Sequence, residues 1–355
     1  MPVWGYAIQI DKRKSCSILL LLSRALILFL TISTNAHATE EGKSLSALIE
    51  GAKKEGKVVA YLSTNLDESM PLINKFEEQY PFIKVEKVMG KGEDSLYKIL
   101  AEAKAKKYLA DVLNGKLRVQ ITLKAQGLLA QYMSPEHKFY PESFKDPEGF
   151  WSTQYLSTFI IGYNTKLVKS QEVPKDYEAL LEPKWKGKIG LDFRDYDWFT
   201  GMLQIMGRTK GIAYMEKLSK QNPTLRGSQS LSAQLLAAGE YPLGTMYIHS
   251  IARMKLKGAP VEWAKFDAPA PTNLTSLSVL AKAPHPNAAR LFYNFLLSKE
   301  AQEILPTVGR LPARSGIGLS GVPKDFKYFV LNDALLSDVM EKNMKEFDRI
   351  FKKGH

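Results

Sequence analysis

The feature that most constrains the fold is a regular alternation of short apolar runs and amphipathic helices in the first third of the chain. Val58 to Leu62 and Ile83 to Val88 are strand-like, and the residues between them carry apolar side chains at helical spacing. A third strand-like run, Ala110 to Leu113, follows another helical pattern. This alternation predicts an α/β fold with a mainly parallel sheet and helices on both faces.

The remaining sequence predicts a second α/β half that is connected twice to the first. An apolar strand, Tyr155 to Tyr163, leads out of the first half, and Val261 to Phe266 leads back. Two crossings predict a two-lobe protein with a two-strand hinge and a central interlobe cleft that closes around a ligand. The predicted segments are 1–38 for export, 39–153 plus 268–325 for lobe 1, 154–267 for lobe 2, and 326–355 for a C-terminal helix packed on a lobe.

The first 38 residues predict export. A basic cluster, Lys12 to Lys14, precedes the largely apolar run Ser17 to Ile32, and Ala36 to Ala38 forms a small-x-small cleavage site. We expect a periplasmic chain that is cleaved near Ala38, with an uncleaved anchor as the alternative. The single cysteine, Cys16, precedes the apolar run, so the processed chain would contain no disulfide and no cysteine metal site.

Residues 268–314 carry a resemblance to a known family. Thr275 to Leu280 alternates as a half-buried strand, and the following helix places Ala288, Leu291, Phe292 and Phe295 on one stripe. The stretch AKAPHPNAARLFYNFLLSKEAQEIL, followed by GRLPAR, resembles the C-terminal signature of bacterial extracellular (periplasmic) solute-binding proteins, in the ferric-iron-binding-like branch that serves ABC importers. The resemblance implies that this segment returns the chain from the second lobe to the first. It also implies a monomer that passes a small solute to an ABC permease in the inner membrane.

Charge and motifs narrow the function classes. The net charge is +12, but the lysines are spread over many helices, which indicates a solvated surface rather than a nucleic-acid site. Gly316 to Gly321 spells a dinucleotide fingerprint between Pro312 and Pro323, which leave neither the strand nor the helix that such a site requires. We predict no cofactor and no enzyme activity. A cleft enzyme that uses His249 with Asp192 or Asp195, and a sensor subunit, remain as alternatives.

The predicted ligand contacts are polar or aromatic residues that follow the strands, where ligands of α/β sheets collect. They are Ser63, Thr64, Asn65, Asn114, Arg194, Asp195, Tyr196, Ser228, Gln229, Tyr247, His249 and Ser250, with Gly90 to Glu93 and Gly115 as further cleft positions. Arg194 suits bidentate contact with a carboxylate or phosphate, or else a surface ion pair with Asp195 or Asp197. Ser228 either presents a helix N-terminus to an anion or only caps that helix.

The same resemblance bears on iron. Ferric-binding relatives carry an Asn followed by two adjacent iron-ligating tyrosines, and here His249 and Ser250 stand at the positions of that pair. Thr64 and Asn65 stand where many relatives carry a ligating histidine. Ferric iron is hard and favours anionic oxygen donors. The sequence therefore predicts no metal and favours a small anionic or polar organic solute, with ferric iron as the alternative ligand.

Overall fold

The computed structural model of the chain describes residues 45–90, 93–331 and 336–352. The predicted signal segment and its cleavage site near Ala38 lie outside these residues, as do residues 91 and 92 of the predicted cleft positions Gly90 to Glu93. Within the described ranges, no helix has both the length and the apolar character that a membrane crossing requires.

Strands and helices alternate along the described chain, as the periodicity predicts. The strands are β1 Lys57–Leu62, β2 Lys84–Met89, β3 Val112–Lys116, β4 Ser152–Asn164, β5 Ile189–Asp192, β6 Thr224–Arg226, β7 Leu243–Tyr247, β8 Val261–Trp263, β9 Ala270–Val279, β10 Leu311–Pro312 and β11 Tyr328–Val330. The helices are α1 over residues 45–55, α2 Leu66–Gln79, α3 Asp94–Lys104, α4 Leu117–Ala125, α5 Tyr196–Met206, α6 Arg208–Ser219, α7 Gln229–Ala238, α8 Ile248–Leu256, α9 Pro286–Leu297, α10 Lys299–Ile304 and α11 Leu336–Phe351.

The described strands form a mixed sheet in the order β2-β1-β3-β9-β4-β7-β5-β6, with β8 and β10 paired to β4 and β11 paired to β9. β1 runs parallel to β2 and β3, and β5 runs parallel to β6 and β7. In the middle, β4 and β9 run antiparallel to each other and to β7 and β3, respectively. The predicted parallel arrangement is therefore correct for the outer strands and wrong for the centre, because β4 and β9 are the segments that connect the two halves.

Strand β4 belongs to both halves of the sheet. Residues 152–158 pair with β9, whereas residues 159–164 pair with β7 and β8. At 13 residues, β4 is about twice the common strand length of 5–6 residues. The first half of the fold contains β1, β2, β3, β9, β10 and β11, and the second contains β5 to β8. The residue boundaries of the two lobes given above remain predictions.

The apolar stripe of α9 joins the C-terminal segment to the first half. Ala288, Leu291, Phe292 and Phe295 are all buried, as predicted. The rings of Phe292 and Phe295 lie 4.8 and 5.4 Å from the ring of Phe76 in α2. This helix, which comes late in the sequence, therefore packs into the same core as α2, which comes near its beginning.

Other local predictions have mixed outcomes. The Ser298 side chain accepts a hydrogen bond from the backbone N–H three residues later, at 3.3 Å, and so caps α10, as a serine directly before a helix is expected to do. Residues 316–321 form a loop rather than a nucleotide-binding turn. Asn114 and Gly115 lie inside β3 rather than after it, because pairing with β9 extends that strand to Lys116.

Candidate ligand-binding site

A cavity of about 170 Å³ lies where β4 and β9 pass between the two halves. It is lined by Ser63, Lys116, Tyr155, Ser157, Tyr247, His249, Asn273, Thr275 and Arg310. Ser63 follows β1, Lys116 ends β3 and Tyr247 ends β7. The cavity therefore lies beyond the carboxyl ends of strands, where α/β sheets bind their ligands.

The two connecting strands supply one wall of the cavity. Tyr155 faces Thr275 and Ser157 faces Asn273 in the antiparallel register of β4 and β9. Because side chains alternate along a strand, all four of these residues are on the same face of the sheet. Ser157 and Thr275 also share a hydrogen bond between their hydroxyls at 3.3 Å. The register thus presents a row of hydroxyl and amide groups to the cavity.

Arg310 is the buried cation at one end of the site. Its Nε and Nη2 donate to the two carboxylate oxygens of Glu68, both at 3.0 Å, and its guanidinium lies 4.6 Å from the ring centre of Tyr155. Glu68 is only 1% exposed. Because a bidentate pair holds the guanidinium plane in place, Arg310 presents its remaining N–H groups in a fixed orientation.

In the second half, His249 contacts the guanidinium of Arg310, and Tyr247 packs against His249. Arg310 Nη1 lies 3.2 Å from Nε2 and 3.3 Å from Nδ1 of His249, and the imidazole stacks on the Tyr247 ring with 5.0 Å between centres. Burial, and then the charges of Arg310 and Arg253, lower the pKa of His249 well below its ordinary value. The imidazole is therefore neutral at physiological pH and accepts a hydrogen bond from the guanidinium.

A second charged cluster spans the two halves beside the cavity. Asp197, in the first turn of α5, forms ion pairs with Lys116 Nζ and with Arg118 Nη1, the latter at 3.2 Å. Asn273 Nδ2 donates to the same carboxylate at 3.1 Å. Although burial favours the neutral acid, the charges of Lys116 and Arg118 lower the pKa of Asp197 to about 2. Asp197 is thus an ionised carboxylate held by cations from the opposite half.

Helix N-termini add to the positive potential of the site. Lys116 directly precedes α4, Tyr247 directly precedes α8, and Ser63 lies two residues before Asn65, the N-cap of α2. The free N–H groups at a helix N-terminus carry a partial positive charge and favour negatively charged or oxygen-rich ligands. The arrangement suits a small solute that presents oxygen atoms.

The family is decided by a direct sequence match. Residues 71–329 match the profile described as "Bacterial extracellular solute-binding protein". The chain belongs to this family. Such proteins work outside the cytoplasm, in the periplasm, and deliver small solutes to an ABC permease in the inner membrane, and this chain is a solute-binding protein of that type.

Individual relatives agree with this assignment. Iron uptake protein A1 of Synechocystis sp. is 22% identical over 295 residues, which cover 78% of this chain and 81% of that protein. Iron-bound HitA from Pseudomonas aeruginosa has a TM-score of 0.71 at 19% identity, covering 82% of this chain and 99% of that one. AfuA from Actinobacillus pleuropneumoniae, solved with fructose-6-phosphate, has a TM-score of 0.69 at 25% identity and covers 84% and 99%. The comparisons confirm the predicted family and two-lobe fold.

Three of the predicted contact residues of this solute-binding protein line the cavity: Ser63, Tyr247 and His249. Asn114 stands behind Ser63, whose hydroxyl donates to Asn114 Oδ1 at 2.5 Å. Thr64 is buried beside Glu68 and Arg310 in a neighbouring small pocket.

Two further predicted residues stand at the starts of helices. The backbone N–H of Asn65 donates to Glu68 Oε2 at 2.9 Å and so begins α2. Ser250 is buried in the first turn of α8. Neither residue is among those that line the cavity.

Asp195 and Gln229 hold the second half together instead of lining the cavity. Gln229 Nε2 and Thr245 Oγ1 both donate to the Asp195 carboxylate, the latter at 2.8 Å. The other end of the Gln229 amide accepts a hydrogen bond from the backbone N–H of Tyr247 at 3.0 Å. These residues therefore fix the position of Tyr247 from behind.

Arg194, Tyr196 and Ser228 lie away from the cavity. The Arg194 side chain is 56% exposed and packs over the ring of Phe193, while the Tyr196 hydroxyl lies 2.9 Å from Lys352 Nζ. Ser228 accepts a hydrogen bond at 3.2 Å from the backbone N–H three residues later, so it caps α7. The capping alternative describes Ser228. Arg194 faces solvent, and its ion-pair partner, at 3.9 Å, is Asp192 rather than the predicted Asp195 or Asp197.

The prediction missed six of the nine lining residues, namely Lys116, Tyr155, Ser157, Asn273, Thr275 and Arg310. The sequence did contain one signal for the strand residues, namely polar side chains at alternate positions of an otherwise apolar strand. Such side chains are unusual in a protein core. Arg310 stood within the GRLPAR signature, which indicated a family but not a contact.

Proposed function

We propose that the protein captures a small polar or anionic solute in the cavity between its halves and delivers it unchanged to an ABC permease. The observation that carries the proposal is the lining itself, in which Lys116 and Arg310 stand among hydroxyl, phenol and amide groups from both halves. At about 170 Å³, the cavity is smaller than the roughly 300–1,000 Å³ of drug-sized sites. The solute is therefore small.

Ferric iron fits these residues less well, although relatives are named for iron. Tyr155 and Tyr247 both line the cavity, but burial holds the pKa of Tyr247 well above its ordinary value and so opposes the phenolate that iron would need. Lys116 and Arg310 present only N–H donors, which cannot coordinate a metal ion. Among the described residues, no group of three or more His, Asp or Glu side chains is arranged to hold a metal.

An acid–base enzyme is also disfavoured. The polar partner of His249 is Arg310, a cation, rather than a carboxylate that would orient and charge the imidazole. The two predicted acid–base partners bond elsewhere: Asp195 accepts from Gln229 and Thr245, and Asp192 accepts from the backbone N–H of Arg194. The site therefore supports capture rather than chemical conversion.

Native mass spectrometry of protein purified without unfolding tests this proposal by revealing a bound small molecule. Arg310→Met should weaken binding of that molecule by tenfold or more, because a buried hydrogen-bonded cation is lost. Arg349→Met is the matched control, since Arg349 forms ion pairs on the surface of α11. Recovery of bound ferric iron with a visible charge-transfer band, or unchanged affinity in Arg310→Met, would contradict the proposal.

A further inference from the structure

The ion pair between the two halves has a consequence for which solutes can enter. Asp197 comes from the second half, and its carboxylate contacts Lys116, Arg118 and Asn273. Two of these three partners, Lys116 and Asn273, line the cavity. The Asp197 side chain is itself buried. A permanent negative charge therefore stands directly behind the cavity wall.

In the part of the chain that the structure describes, both cations that line the cavity already have carboxylate partners. Lys116 and Arg118 face Asp197 and Glu93, whose carboxylate lies 2.6 Å from Arg118 Nε. At the other end of the cavity, Arg310 is paired with Glu68. Lys116 and Arg310 thus offer N–H donors to a solute although each already has a carboxylate partner.

The N–H donors of Lys116 and Arg310 remain available to a solute although both side chains have carboxylate partners. A lysine ammonium has three N–H groups and an arginine guanidinium has five, so one carboxylate does not saturate either. A neutral solute can accept hydrogen bonds from these N–H groups without adding charge to the site. A singly charged anion adds one negative charge. A dianion would bring two negative charges next to buried Asp197, where the low dielectric strengthens repulsion.

We propose that Asp197 is the residue that sets the charge of the solute, admitting neutral or singly charged molecules and excluding dianions such as sulfate, phosphate and phosphate monoesters. This inference rests on the proposed function, because it assigns the cavity as the binding site. It goes further by naming the charge class of the ligand and the side chain that selects it.

Isothermal titration calorimetry with inorganic phosphate and with sulfate, at mildly alkaline pH, tests the inference on the wild type and on Asp197→Asn. The amide keeps the size of the side chain and removes its charge. We expect Asp197→Asn to bind both dianions about tenfold or more tightly than the wild type, because Lys116 and Arg118 lose their internal counterion. Unchanged or weaker binding by the variant would overturn the inference.

Glu93→Gln is the matched control. It removes one negative charge from the same Arg118, but from a side chain that is 40% exposed, whereas the Asp197 side chain is 8% exposed. We expect its dianion affinities to stay within about twofold of the wild type, because charges near the surface are screened. An equal gain in Glu93→Gln would show that overall charge, not Asp197, controls entry.

The wild type supplies a test that needs no variant to fold. A wild-type Kd for sulfate or phosphate below about 1 mM would overturn the inference, whatever the variants do. A different result would contradict the proposed function: no solute is recovered in native mass spectrometry, and no compound from a panel of neutral and monoanionic solutes binds. The two failures are therefore distinguishable.

Discussion

Glu68 shows how single residues serve both the fold and the site. Its carboxylate is buried and pairs with Arg310 from the first half and with Arg253 Nη1 from α8, the latter at 3.2 Å. Burial of an isolated charge costs several kcal/mol, so removal of one partner leaves an expensive group behind. Arg310 therefore contributes to stability as well as to the cavity.

A pH prediction follows from the buried imidazole of His249. Its pKa is lower in the folded chain than its ordinary value of 6.5, so below that pH the unfolded chain binds a proton that the folded chain does not. Stability is fully present above pH 6.5 and falls as the pH drops below it. We expect His249→Gln to flatten this fall by up to about 1.4 kcal/mol per pH unit.

Denaturant unfolding of the wild type and of His249→Gln at several pH values between neutral and mildly acidic measures this slope. The buried His137 also has a lowered pKa, caused by burial and then by Lys145, so the variant should retain part of the dependence. Identical slopes for the two proteins would contradict the assignment of a neutral, buried His249.

At the scale of the element, helix α11 supports the helix that carries Asp197. It follows the family match, which ends at residue 329, and it packs on α5. Phe347 is fully buried, and its ring meets those of Tyr196 and Phe199 edge-to-face at 5.3 and 5.7 Å between centres. The back of α5 is therefore covered by α11.

We predict that Phe347→Ala lowers the free energy of unfolding by about 3–5 kcal/mol, because it removes a fully buried ring and leaves a cavity. Met344→Ala, on the same helix but 38% exposed, should change it by no more than about 0.5 kcal/mol. Chemical denaturation of both variants measures the difference. Equal small effects would show that α11 adds little to the fold.

At the scale of the whole molecule, charged contacts join the two halves across the cleft. Arg253 of α8 forms ion pairs with Asp67 and Glu68 of α2, in addition to the contact between Lys116 and Asp197. Hydrogen bonds between charged groups contribute about 1.5–3 kcal/mol each. These contacts favour the closed arrangement of a fold whose halves are joined by two strands.

We therefore predict that Arg253→Gln shifts the protein towards an open arrangement with a larger radius of gyration, measured by small-angle X-ray scattering. Lys255→Gln is the control, because the partner of Lys255, Glu262, lies in the same half. The same increase in both variants, or none in Arg253→Gln at low salt, would contradict a role for Arg253 in holding the halves together.

The sequence by itself determined those features of the fold that depend only on residues close together in the chain. The stripe of α9 and the order of strands and helices are visible because helix and strand periodicities are local properties. The rule that ligands collect after strands identified Ser63, Tyr247 and His249 as cavity residues.

Only the tertiary structure decided the rest of the site. Arg310 meets His249 from 61 residues away, and Ser157 meets Thr275 from 118 residues away, because β4 and β9 pair across the junction of the two halves. Lys116 and Asp197 are likewise joined over 81 residues. No local pattern encodes such pairings, since they depend on the register and direction of strands that the chain brings together only when it folds.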